Sequence, residues 1–163
     1  MKTIFLVLLT FLFTSSIIFS QKKKNFIAEV KNSEVNIKLH RLIEFNHTDA
    51  KKGNKYVVAE ITIENISDKN IAVGADYTMS ISIIDDEGNK YRSGLKGTGI
   101  VSTYLTKEGS EKQDQKAFNL CFSDKFPPKT KAKSFLCGFE IPINANIVSF
   151  GVKDKNLWNG IKK

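Results

Sequence analysis

Two cysteines, Cys121 and Cys137, are the first residues in this sequence whose type suggests chemistry. In an oxidising compartment an even number of cysteines suggests a disulfide. A hairpin centred on Lys129 would bring the two opposite each other. However, Cys137 shares the phase of Phe135 and Phe139, whereas Cys121 is out of phase with its apolar neighbours. The alternative, two buried free thiols that pack as small apolar side chains, therefore stays open.

The remaining reactive residue types do not form a recognisable catalytic or metal-binding pattern. His40 and His47 are the only histidines, and His47 with Asp49 would be half of a metal site at most. The acidic run 85–89 lacks the alternating ligands and distal glutamate of a calcium loop, so it predicts a charged hairpin turn. We expect no catalytic residue, no metal and no cofactor, and hence a protein that is not an enzyme.

Six lysines are candidates for binding an anion: Lys51, Lys52, Lys55, Lys129, Lys131 and Lys133. The last three alternate along the chain, so they would share one face of a strand. Lysines there can also protect a sheet edge from pairing with another chain. The functional alternative is a patch for anionic envelope lipid or polysaccharide.

The 163 residues suggest one domain with a formal net charge of +8. Nearly all of the positive charge is lysine, since Arg41 and Arg92 are the only arginines. Arginine is the residue best suited to bidentate recognition of phosphates and bases. Its scarcity argues against a nucleic-acid partner.

The N-terminal residues have the features of a targeting segment. Lys2 precedes an apolar run from Ile4 to Phe13, and Ser20 supplies a small residue for cleavage. We expect a signal peptide over 1–20, with an uncleaved anchor as the alternative, and a flexible basic lead-in over 21–32. The mature chain is expected not to span a membrane and to be periplasmic or extracellular.

The stretch 55–91 carries the clearest strand pattern. Apolar residues alternate from Val57 to Ile63 and again from Met79 to Ile83, which predicts strands with one buried face. Gly88 would permit the positive φ of a tight turn between two strands.

Shorter alternating runs flank this stretch. They predict strands over 33–45 with a bend near Arg41, over 115–122, over 132–141 ending before Pro142, and over 147–152. Residues 92–114 are predicted to be a long loop, with a short helix or strand over 100–105 as an alternative, and no convincing amphipathic helix is expected. About seven strands predict an all-β antiparallel sandwich over 33–157, with a tail over 158–163 in which Trp158 covers one end of the core.

Turn residues indicate a relationship. Asn65, Ser67, Asp68 and Lys69 end one strand, and Asp85, Gly88 and Tyr91 shape the next turn. Together with Phe126-Pro127-Pro128 and the segment Phe139 to Pro142, this pattern resembles a bacterial exported family of unknown function. The resemblance implies a telokin-like immunoglobulin fold over roughly residues 33–152. The chain departs from it at Lys129-Thr130, where a glycine is usual.

These observations predict a non-enzymatic, exported binding or interaction module for an unknown protein or envelope component. Its contact surface is expected in the loop 92–114, with Tyr104 and Leu105 as apolar contacts. The alternatives are association of the lysine patch with an anionic surface and, as a minor one, an enzyme without a recognised motif.

Overall fold

The computed structural model describes residues 26–162. The predicted signal peptide, and residues 21–25 of the predicted lead-in, lie outside the described residues. Within these residues the fold contains eight strands and three α-helices. The strands are β1 (Ala28–Lys31), β2 (Val35–Phe45), β3 (Asn54–Asn65), β4 (Ile81–Asp85), β5 (Lys90–Arg92), β6 (Lys131–Pro142), β7 (Ile147–Val152) and β8 (Leu157–Gly160). The helices are α1 (Val73–Asp76), α2 (Gly94–Glu108) and α3 (Gln115–Cys121).

The strands form two four-stranded antiparallel sheets, in the orders β1-β2-β3-β6 and β5-β4-β7-β8. One set of alternating β3 residues is fully buried between them, from Val57 to Ile63. Ile81, Ile83 and Phe150 of the second sheet belong to the same core. The predicted two-sheet β-sandwich is therefore present, because period-two patterning gives each sheet one apolar inner face.

Local predictions about the strands also agree with the structure. The register of β2 against β3 shifts between Leu39 and Arg41, at the predicted bend. Gly88 has a φ of 86° in the turn after β4. Asp85 holds that turn closed, since its carboxylate accepts hydrogen bonds from the Asn89 amide at 2.8 Å and the Tyr91 hydroxyl at 2.6 Å. β6 ends at Pro142.

The two sheets meet along one seam, where β1 lies beside β8. The amide of Lys162 donates to the carbonyl of Ile27 at 2.8 Å, and the Asn159 side chain donates to the Glu29 carbonyl at 2.8 Å. Both ends of the predicted domain therefore need correction. Residues 28–31 of the predicted flexible lead-in are an edge strand, and the predicted tail contributes Trp158 and its neighbours to β8.

Two segments that were predicted as loop and strand are helical. The predicted loop 92–114 contains the 15-residue helix α2, and the predicted strand 115–122 is α3. Asp114 caps α3, because its side chain accepts hydrogen bonds from the amides of Lys116 and Ala117. The fold is thus a β-sandwich with a helical insertion, and the expectation of no amphipathic helix is wrong.

Helix α2 adds a third layer on the outer face of the first sheet. A second apolar cluster joins Ile100, Val101 and Tyr104 of this helix to Tyr56 and Val58 of β3. One end of the outer face of β3, predicted to be mostly solvated, is therefore covered. The candidate site is a groove beside this helix.

Candidate functional site: a neutral groove between two helices

A groove of about 420 Å³ lies between α2 and α3. Strand β6 forms its floor with Phe135, Leu136 and Cys137, each at most 5% exposed. Its size falls in the range typical of small-molecule sites. The groove is therefore the candidate binding site.

The wall formed by α2 combines apolar and hydroxyl side chains. Thr98, Ser102 and Thr106 recur every four residues and so lie along one helix face. Val101 and Leu105 line the groove beside them. This wall can contact an apolar body while offering oxygen atoms along one side.

The opposite wall is aromatic. Phe118 of α3 and Phe122, the residue that follows the helix, have ring centroids 4.8 Å apart. The ring centroid of Phe122 lies 5.8 Å from that of Phe135 on β6. Phe122 is 39% exposed, so part of its ring is accessible. The tilted and edge-to-face rings provide a surface on which a flat apolar group can pack.

Gln113, between the two helices, completes the groove. Its side-chain amide donates to the Asp114 carbonyl at 3.1 Å. Its Oε1 is buried and accepts no hydrogen bond from any residue in the described range 26–162. A buried acceptor without a donor is costly, so this atom is a candidate for contact with a ligand.

Close backbone contact holds α2 against β6. A Cβ built on Gly138 would lie 2.5 Å from the Gly97 carbonyl oxygen and 2.7 Å from Cβ of Ile100. A Cβ built on Gly97 would clash with the carbonyl oxygen of Gly138. The helix can therefore reach this depth only because both residues are glycine.

A buried carboxylate makes a second attachment. Glu140 on β6 accepts hydrogen bonds from the Lys51 amide at 2.9 Å and the Asn54 side chain at 2.8 Å, and it pairs with Lys96 of α2. Burial alone would raise the pKa of Glu140, but these hydrogen bonds and the charge of Lys96 lower it to about 2. This residue stays ionised at neutral pH and anchors the helix.

The two predicted contact residues, Tyr104 and Leu105, lie in different environments. Tyr104 is 6% exposed and packs against Phe45, with ring centroids 5.6 Å apart. It is not at the surface of a loop, because α2 turns it toward the first sheet. Leu105, one position on, lines the groove. Of these two residues, Leu105 alone is therefore placed to contact a ligand in the groove.

Both cysteines are free and buried, which agrees with the alternative of two packed thiols. The hairpin expected to bridge them is absent because residues 115–121 form α3. Cys121 lies at the end of α3, whereas Cys137 is on β6 and lines the groove. Burial raises the pKa of the Cys121 thiol to about 12 and raises that of Cys137 well above its ordinary value. Neither thiol is a reactive nucleophile in this state.

The six candidate lysines do not form one patch. Antiparallel pairing of β3 with β6 places Lys55 opposite Ile141 and Glu64 opposite Lys131, at opposite ends of β6. The two groups are thus roughly 30 Å apart.

Half of these lysines are also neutralised by carboxylates. Ion pairs join Lys55 to Glu44 at 2.8 Å, Lys129 to Asp68 at 2.9 Å and Lys131 to Glu64 at 3.0 Å. The remaining three, Lys51, Lys52 and Lys133, are exposed.

The other residues considered for chemistry have local roles. His47 lies 3.6 Å from Asp49, and His40 is within hydrogen-bonding distance of Thr62 at 2.8 Å. No group of three or more metal-ligating side chains occurs within residues 26–162. In the same part of the chain, no helix has the length and apolar character needed to cross a membrane.

Sequence reasoning missed most of the groove, including Thr98, Ser102, Thr106 and Gln113. Their types carry no catalytic or ligand signature. The four-residue spacing of the hydroxyls was the available signal, but four glycines in the same region concealed the helix that gives this spacing its meaning.

Comparisons with known proteins bear on the fold. No family model matches the sequence, and no match was found among curated proteins. The crystal structure of a conserved hypothetical protein from Bacillus anthracis is similar, with a TM-score of 0.56 and 14% sequence identity. The similarity covers 83% of this chain and 93% of that chain. At this identity it supports the shared fold alone.

Proposed function

We propose that this protein is an exported, non-enzymatic binding module whose ligand occupies the groove between α2 and α3. The observation that carries the proposal is the lining of the groove. It is concave and largely apolar, and none of its lining side chains bears a charge. Small-molecule sites typically combine such a surface with a few polar groups that fix the orientation of the ligand.

The same lining supports binding rather than catalysis. General acid–base chemistry needs a group whose pKa lies near the working pH. The ionisable lining residue in this part of the chain is Cys137, and burial raises its pKa far from neutrality. Export is proposed from the N-terminal sequence, and a telokin-like immunoglobulin fold from the turn residues that resemble that family.

The lysine-patch alternative receives less support from the structure. Lys55, Lys129 and Lys131 each pair with a carboxylate, and the two lysine groups lie far apart. An anionic surface would have to displace these partners. We therefore place the ligand in the groove.

Binding of an uncharged apolar dye, phenyl naphthylamine, tests the proposal, using the chain that begins at Gln21. Ser102→Trp would fill the groove from the α2 wall, and Lys107→Trp adds the same side chain to an exposed position on α2 that does not line the groove. We expect saturable dye fluorescence for the unmodified protein and for Lys107→Trp, and its loss for Ser102→Trp. Equal binding by all three, or no saturable binding at all, would refute the assignment of the groove.

A further inference from the structure

Eight side chains that line the groove carry a hydroxyl or an amide, and all but Ser93, Ser102 and Ser110 share an orientation that bears on the choice of ligand. Threonine hydroxyls and glutamine amides can both donate and accept hydrogen bonds. In this groove, five of these side chains direct a donor into the protein itself. They are Thr78, Thr98, Thr106, Gln113 and Gln115.

The three threonines donate to main-chain carbonyls. Thr78 donates to the carbonyl of Cys121 at 3.0 Å, and Thr106 to that of Ser102 at 3.0 Å. Thr98 is directed at the Gly94 carbonyl at 3.5 Å. A hydroxyl has one hydrogen, so what remains for a ligand is the lone pairs of the oxygen.

The two glutamines follow the same arrangement. Gln115 donates one N–H to Asn119 Oδ1 at 3.0 Å and Gln113 donates one N–H to the Asp114 carbonyl, so the oxygen and one further N–H of each side chain have no partner within residues 26–162. Gln113 Oε1 is the buried oxygen without a donor. A ligand N–H or O–H that reached it would supply the partner that the protein does not.

We propose that the groove selects uncharged molecules that combine an apolar ring system with a hydroxyl or N–H donor. This inference rests on the proposed function. An anion would meet acceptor oxygens with no cationic side chain beside them, and a cation would meet no carboxylate. A neutral donor both satisfies the acceptors and leaves no buried charge unpaired.

A matched pair of probes separates donor recognition from simple apolar burial. Naphthol carries an O–H donor, whereas methoxynaphthalene has the same rings and replaces that hydrogen with a methyl group. Apolar burial alone favours the ether by about threefold to fourfold for the added carbon. Recognition of the donor reverses this, and we expect naphthol to bind about three- to tenfold more tightly.

Three variants locate the effect. Thr106→Val and Gln113→Met remove an acceptor from the groove with little change in volume, and we expect each to reduce the preference for naphthol. Thr103→Val is the matched control, because Thr103 makes the same bond to a main-chain carbonyl, that of Gly99 at 3.1 Å, but does not line the groove. Titration calorimetry of both probes with all four proteins provides the comparison.

The outcomes distinguish this inference from the function on which it rests. If the ether binds as tightly as naphthol or more tightly, or if the preference is the same in all four proteins, the groove binds by burial alone and the donor inference fails. Preferential binding of naphthalene sulfonate would also overturn it. If neither neutral probe binds, the proposed function itself fails.

Discussion

Gly97 and Gly138 lie against each other so closely that a Cβ atom on either one would overlap the carbonyl oxygen of the other. This contact sets the depth at which α2 rests on β6, and α2 forms one wall of the groove. The geometry of the candidate site therefore depends on two residues that do not line it. Small residues at a contact allow backbones to approach in this way.

Gly97→Ala is expected to destabilise the protein by about 1–3 kcal/mol, because the added methyl group must push the helix away from the strand. This loss should exceed the gain of up to about 1 kcal/mol that alanine gives to a helix interior. Urea unfolding monitored by circular dichroism measures the net change in the free energy of unfolding.

Gly99→Ala is the control, since a Cβ at this position of α2 meets nothing within 4 Å. It should stabilise the protein by about 0.5–1 kcal/mol. A neutral effect at Gly97, or the same change at both positions, would contradict the close contact.

Acid should weaken the attachment made by Glu140. Its pKa in the folded protein is about 2, below the ordinary value of 4.5, so the folded state favours the ionised form. The resulting stability is fully present above about pH 4.5 and is lost as the pH falls toward 2. We therefore expect Glu140→Gln to cost about 2 kcal/mol near neutral pH and progressively less in acid.

Unfolding free energies measured from pH 7 to pH 2 test this expectation. Glu108→Gln serves as the control, because Glu108 is exposed at the end of α2. A difference between the unmodified protein and Glu140→Gln that stays constant with pH would mean that the carboxylate does not carry the effect.

Lys129 has a φ of 54°, in the left-handed region that favours glycine. Lys129→Gly and Lys129→Ala both remove the hydrogen bond from the ammonium group to the Ile66 carbonyl. The Lys129→Gly variant should therefore be more stable than Lys129→Ala by about 1 kcal/mol, because glycine adopts a positive φ without strain.

The opposite order is expected at Lys133, which lies within β6 and does not have a positive φ. There, alanine should be more stable than glycine by about 0.5–1 kcal/mol. Thermal unfolding of the four variants decides the matter, and the same order at both positions would show that backbone strain at Lys129 is not the cause.

The two thiols should resist modification in the folded protein. Cys121 and Cys137 are buried and their pKa values are raised, so little thiolate is available to attack a reagent. We expect reaction with an aromatic disulfide reagent on the order of a hundredfold slower than for an added thiol at exposed Ser110 (Ser110→Cys). Both native thiols should react after unfolding without reductant. A rapid native reaction, or fewer than two thiols after unfolding, would disprove this.

The sandwich was predictable because period-two patterning directly reflects burial between two sheets. Val57 to Ile63 needed no tertiary information to be placed in the core. In contrast, Phe118, Leu120 and Phe122 alternate as they would in a strand, although residues 115–121 are helical. The signal for the helix was its N-cap, Asp114, and that role became recognisable only in the folded structure.

The groove was less predictable than the fold for a related reason. Its polar lining includes threonines and glutamines, and their effect on a ligand depends on the direction of their hydrogen bonds. The acceptors of those bonds, such as the carbonyls of Ser102 and Asp114, are brought into place only by folding. The glycines that allow α2 to pack closely also gave the segment the composition of a loop.

The seam between β1 and β8 has a kinetic consequence. The hydrogen bond between Asn159 and Glu29 joins residues 130 positions apart in the sequence. Such a contact requires a large loop to close before it contributes, and domains rich in non-local contacts fold slowly. In a nascent chain from which β8 has not yet emerged, the edge of β1 has no neighbour, so closure of this seam is expected to be a late event in folding.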